Sequence, residues 1–124
     1  MSWKGESRRH AFASKGIKSE IKSRIKEYKK TPCDINAGLC EDFAWSLAKK
    51  IPNARVSESN WDVIFVNKKG KKEWIPTHFW ITLNNRHYDA ECPEGVDDYH
   101  DLPIFVRAGI QKDIDFIIDW GEPQ

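Results

Sequence analysis

Apolar residues recur at three- and four-residue steps in the front of this chain and at two-residue steps behind it. That change of period predicts helices followed by strands. From Ser14 to Lys30 the apolar positions are Ile17, Ile21, Ile25 and Tyr28, with lysines and Arg24 between them, which predicts an amphipathic helix with a narrow apolar stripe. Residues 7–13 are expected to form a separate helical turn, with Gly16 as the break. Thr31-Pro32 ends the helix, and Cys33 to Ala37 reads as an approach to the next one. That next helix starts near Cys40: Phe43, Ala44, Leu47, Ala48 and Ile51 keep helical spacing until Pro52, and Gly38 is expected to end the preceding loop tightly.

After a short polar stretch, residues 61–66, Trp-Asp-Val-Ile-Phe-Val, read as a largely buried strand, and Asn67 to Lys72 as a basic turn around Gly70. Residues 77–83 and 86–91 read as paired strands joined by Asn84-Asn85, since asparagine tolerates the left-handed backbone of a tight hairpin. With that turn, Leu83 faces Arg86, Trp80 faces Asp89 and His78 faces Glu91. Strand alternation then puts His78, Trp80, Thr82, His87, Asp89 and Glu91 on one face. Residues 92–101 read as a loop on their Pro, Gly and Asp content, and Ile114, Phe116, Ile118 and Trp120 as one face of a last strand. The expected fold class is α+β, with N-terminal helices packed on an antiparallel sheet.

Length sets the organisation: 124 residues suit a single domain over 1–124 with one core. Within it lie a basic helical segment at 1–30, a central part at 36–93 and a C-terminal loop and strand at 94–124. The net charge is +1, yet residues 1–30 carry ten Lys/Arg against three Asp/Glu and residues 86–124 carry three against ten. The two ends are expected to attract, with the basic face solvated rather than built for nucleic acid. No apolar run reaches the roughly 20 residues of a membrane span and no secretory signal opens the chain, so the expected location is the cytoplasm. The three cysteines, Cys33, Cys40 and Cys92, are then expected as reduced thiols.

The candidate chemistry centres on Cys40. A cysteine in the first turn of a helix lies beside unpaired backbone N–H groups and the positive end of the dipole, which favour the thiolate. A histidine on one strand and a carboxylate on the next supply what a thiol nucleophile needs. His78 would take the Cys40 proton and return it to the leaving group, and Asp89 would fix the ring's tautomer and stabilise its charge. Glu91 rivals Asp89, because a one-residue change of register alters which is nearer. Trp80 and His87 share the face as pocket walls. Glu41 and Asp42 oppose a thiolate, but an imidazolium at about 4 Å in a partly buried site contributes roughly 4 kcal/mol, whereas a solvated carboxylate about 8 Å away opposes by only about 0.5 kcal/mol.

Gly-Leu-Cys-Glu-Asp-Phe-Ala, then His-Phe-Trp-Ile-Thr-Leu and Tyr-Asp-Ala-Glu, over roughly residues 36–93, resemble the transglutaminase-like branch of the papain-like superfamily, including bacterial transglutaminase-like cysteine proteinases. The resemblance implies a papain-like core and a triad of Cys40, His78 and Asp89. Where the papain branch usually carries an oxyanion-hole glutamine, this chain has Asp34 and Asn36, of which Asn36 is able to donate. The implied activity is acyl transfer on a peptide, protein or small amide or ester: hydrolysis if water resolves the thioester, transamidation if an amine does. No cofactor is implied, and no loop motif for calcium is present.

Two other classes remain open at this point: a papain-like scaffold that only binds a partner, and a basic protein- or nucleic-acid-binding module built on the N-terminal helix with Trp3 and Phe12. The chain lacks recognised nucleic-acid signatures. Zinc has permitted ligand types in Cys33, Cys40, His78, Cys92 and His100, but no close pair pins two of them locally, so no metal is expected.

Overall fold

Thr31 stands where two helices are separated, and its local chemistry sets the geometry of everything after it. Its side chain caps the next helix by accepting from the Asp34 N–H, with Pro32 at the first helical position where no N–H is missed. In the computed structural model, which describes the backbone of residues 3–124 and side chains from Gly16 onward, helix α1 spans Trp3–Tyr28, α2 Pro32–Gly38 and α3 Cys40–Lys50. Strands β1 (Arg55–Ser59), β2 (Ile64–Val66), β3 (Lys72–Trp74), β4 (Phe79–Leu83), β5 (Arg86–Asp89) and β6 (Cys92–Val96) follow. A 3₁₀ turn (Tyr99–Asp101), α4 (Pro103–Ala108) and β7 (Ile117–Gly121) complete the chain. The architecture is α+β: a five-stranded sheet in the order β6-β5-β4-β1-β7, every pairing antiparallel, and a separate β2–β3 hairpin.

The sheet buries both faces, and residues of β4 alternate between two cores. Ile81 and Leu83 join Ile17 and Ile21 of α1 and Phe43 and Leu47 of α3. Trp80 points the other way, into Phe65, Phe105 and Phe116. Asn84 and Asn85 both take positive φ, 53° and 63°, and Leu83 pairs with Arg86 as the hairpin turn requires. Gly95 is the glycine the sheet cannot replace. Its φ is +81°, and an added Cβ would stand 2.5 Å from the Tyr88 ring.

Several expectations are corrected. Helix α1 runs through Gly16 without a break, because one interior glycine costs a helix only about 1 kcal/mol and α1 is held by Ile17 and Ile21 in the core. The side chains of Trp3 and Phe12 lie outside the described residues. Residues 33–37 are helical, and Gly38 closes α2 with no positive φ. The polar stretch Arg55–Ser59 is a central strand, its buried hydroxyls satisfied by Ser57–Thr82 at 2.8 Å and Ser59–Pro76 at 2.6 Å. Residues 61–66 are not largely buried: Phe65 is buried and Val63 packs half-buried beside it, while Trp61, Ile64 and Val66 are exposed.

Two further differences lie towards the C-terminus. Residues 92–96 form an edge strand rather than a loop, and α4, unforeseen in the sequence, supplies Phe105 to the second core. The last strand begins at Ile117, so Ile114 and Phe116 precede it, and Trp120 is exposed with its indole N–H on Glu58. Among the described residues no helix is long and apolar enough to cross a membrane.

Candidate active site

Helix α3 begins at Cys40 immediately after Leu39, a residue with no side-chain oxygen to cap the first turn. The orphan N–H groups of that turn therefore stay available to a negative charge. Phe79, the first residue of β4, presents a backbone N–H to the same sulfur. Burial pushes the Cys40 thiol up, but the His78 ring, the Phe79 N–H and the cysteine's own N–H outweigh it, and the thiol lies below its ordinary value. Asp42 does not oppose this strongly, since its carboxylate accepts the Tyr28 hydroxyl and both it and Glu41 are exposed. Beside the first turn of α3 a hollow of about 400 Å³ opens between Leu39, Glu41 and Trp45.

His78 is fully buried, with 0% exposure, just before β4. Its backbone is fixed from β1: the His78 N–H donates to Ser59 Oγ at 2.9 Å, and the Ser59 N–H donates to the His78 carbonyl at 2.9 Å. Its ring is fixed by stacking on Trp80 and by the edge of Phe105, at centroid distances of 5.8 and 5.6 Å. Nε2 lies 2.9 Å from Asp89 Oδ2, so Nε2 carries the hydrogen and Nδ1 holds the lone pair of the neutral ring. Nδ1 has no hydrogen-bond partner of regular geometry among the described residues, and the ring lies near enough to the Cys40 thiol for each group to shift the other's pKa. Burial disfavours the imidazolium, yet Asp89 and Cys40 together outweigh that, and the His78 pKa is raised.

Asp89 does two jobs with two oxygens. Oδ2 takes His78, and Oδ1 accepts the Glu91 N–H at 2.9 Å, an Asx-type turn that ends β5 and reverses the chain into β6. For that reason the expected pairing of His78 with Glu91 does not form, and Glu91 sits in the turn. Its carboxylate is held by both guanidinium nitrogens of Arg107 at 2.8 Å and by Asn36 Nδ2 at 2.9 Å. Arg107 holds the Glu91 pKa below its ordinary value against the opposing effect of burial.

The structure thus brings Cys40, His78 and Asp89 together, with Trp80 as the buried wall behind His78. It does not leave Asn36 free. That side chain, 3% exposed, spends one amide hydrogen on Glu91, and its Oδ1 is a buried acceptor with no partner among the described residues. His87 is displaced from the expected pocket: its Nδ1 accepts from the Trp80 indole at 3.1 Å and lies 3.0 Å from Thr82 Oγ1, one ring away from His78. Burial holds its pKa low. Ser59, Phe105 and Arg107 escaped sequence reasoning. Only the alternation Ser57-x-Ser59 gave any hint, as a polar face in an otherwise β-compatible run.

Cys33 is exposed and Cys92 buried with a raised pKa, caused mainly by burial; all three thiols are free. His100 is committed to Asp98 and to the Ile114 carbonyl, both at 2.6 Å. Among the described residues no three His, Cys, Asp or Glu side chains converge as a metal ligand set. No family model, curated protein or solved structure matches the chain.

Proposed function

We propose that the protein is a thiol-dependent acyl-transfer enzyme with a transglutaminase-like, papain-like core and a Cys40–His78–Asp89 triad. The observation that carries this reading is the setting of His78: Nε2 is engaged by a buried carboxylate, Nδ1 has no partner among the described residues, and the ring lowers the pKa of the neighbouring Cys40 thiol. Cys40 as thiolate attacks an amide or ester carbonyl, and the negative charge moves to the carbonyl oxygen beside the uncapped N–H groups of α3. The imidazolium gives its proton to the departing amine or alcohol, leaving a thioester on Sγ. Water or an amine then loses a proton to Nδ1, attacks the thioester and expels the thiolate. No step needs a cofactor. A reducing compartment such as the cytoplasm suits a mechanism that depends on a free thiol.

Alkylation by iodoacetamide, mapped to each cysteine by mass spectrometry across about pH 5 to 9, tests the reading without a substrate. Cys40 is expected to react well below the pH of an ordinary thiol and to lose that advantage in His78→Ala. Cys92, buried and with its pKa raised, should be slow. If Cys40 behaves like Cys33 whatever residue stands at 78, acyl transfer is wrong and a binding module takes its place.

A further inference from the structure

The β2–β3 hairpin and the end of α4 enclose a second concavity, about 440 Å³, on the side of the molecule that carries Arg107. That volume falls within the roughly 300–1,000 Å³ of ligand sites. Its wall holds Lys68, Lys69, Lys71 and Arg107 against the single carboxylate of Glu73, with Val106 as an exposed apolar element. Among the described residues none of the three lysines takes part in an ion pair, whereas Arg107 is neutralised by Glu91. The hairpin is tied to the segment after α4 by Gln111, whose side-chain amide donates to the Val66 carbonyl at 2.7 Å. Asn67 shapes the lysine-bearing tip by accepting from the Lys69 and Lys71 N–H groups at 2.9 and 3.0 Å.

We propose that this groove binds an acidic stretch of polypeptide and thereby selects the substrate of the Cys40 site; as a statement about substrate it rests on the acyl-transfer reading. Arg107 forms part of the groove wall and also clamps Glu91, which bonds to Asn36 and, through its N–H, to Asp89. The groove and the triad are therefore joined by one continuous hydrogen-bonded path. Unpaired ammonium groups around a concave site raise the local concentration of anions. Val106 in the same wall suits carboxylates spaced by apolar side chains, and Glu73 opposes the denser charge of a phosphate backbone more than that of such a peptide. Polypeptide also supplies the carbonyl that a thiolate attacks, which a nucleic-acid backbone does not.

The test uses the full chain carrying Cys40→Ala, so that binding is read without turnover. A short fluorescein-labelled peptide alternating Glu and Leu is titrated by fluorescence anisotropy, beside the same peptide with Gln for every Glu. The acidic peptide should bind about tenfold more tightly or better, weaken as salt rises, and lose about tenfold in the combined variant Lys68→Ala, Lys69→Ala, Lys71→Ala. Those exposed lysines should leave the melting temperature unchanged, which separates lost binding from lost folding. Equal affinity for both peptides overturns the proposal, as does undiminished binding by the triple variant or tighter binding of an oligothymidine than of the acidic peptide. If the acidic peptide binds as expected while Cys40 of the parent chain alkylates like an ordinary thiol, the groove stands as a binding site and acyl transfer falls.

Discussion

The β4–β5 and β2–β3 hairpins both turn on asparagine and come to opposite ends. In β4–β5, Asn84 and Asn85 supply the positive φ values of a tight turn, and the strands beside it are buried on both faces within a five-stranded sheet. In β2–β3, Asn67 and a positive-φ Gly70 supply the turn, but the strands pair only with each other. Trp80 of the first is 1% exposed and Trp74 of the second 59%. The difference lies in what covers the outer face. Trp80 and Asp89, which hold the His78 ring in one orientation, belong to the doubly covered hairpin, whereas the lysines belong to the hairpin with one face in water. A two-stranded ribbon is marginal alone, so β2–β3 depends on Phe65 and on the Gln111 tie.

The comparison breaks first at the buried carboxylate. Asp89→Asn keeps the volume but loses the acceptor that sets the His78 tautomer, and the expected cost is up to roughly four orders of magnitude in turnover with the fold retained. A variant that retains full rate would sink the triad. Next come the two tryptophans. Trp80→Ala should cost about 3–5 kcal/mol in urea unfolding, while Trp74→Ala should stay within about 0.5 kcal/mol; similar losses at both sites would mean that the hairpins are not as unlike as their burial implies.

The pH dependence of stability sharpens the contrast further. The raised His78 pKa makes its charged form stabilising in full below about pH 6.5, with the contribution lost as pH rises through the raised value. The lowered His87 pKa acts in the opposite sense: its contribution is full above about pH 6.5 and is lost as pH falls through the lowered value. Both histidines belong to the β4–β5 region. His78→Gln should therefore flatten the alkaline side of a urea-midpoint profile and His87→Gln the acid side. The smallest expected effect is kinetic: amide hydrogens of β4 and β5 should exchange near the global unfolding rate, and those of β2 and β3 much faster.

The sequence was most informative where local chemistry and burial agree. The Asn84-Asn85 turn survives in the structure because asparagine accepts the positive φ it needs, and the alternation through β4 and the helical period after Cys40 survive because their apolar positions meet a core. It misled where a polar residue is satisfied far along the chain. Arg55–Ser59 reads only as a short polar stretch, yet Ser57 and Ser59 are buried because Thr82, Pro76 and His78 supply partners about 20 residues away, a pairing only tertiary contact provides.

Residue types and their order determined by themselves that a thiol would begin a helix, that a histidine and a carboxylate would stand on neighbouring strands, and that a lysine-rich turn would be exposed. These follow from periodicity and turn chemistry, which act over a few residues. Only the tertiary structure decided between the two carboxylates. Asp89 is spent on His78 because its second oxygen turns the chain at Glu91, and Glu91 is spent on Arg107 and Asn36, which come from α4 and α2. A hydrogen bond requires donor and acceptor within about 3 Å, and packing alone brings residues 36, 91 and 107 to that distance.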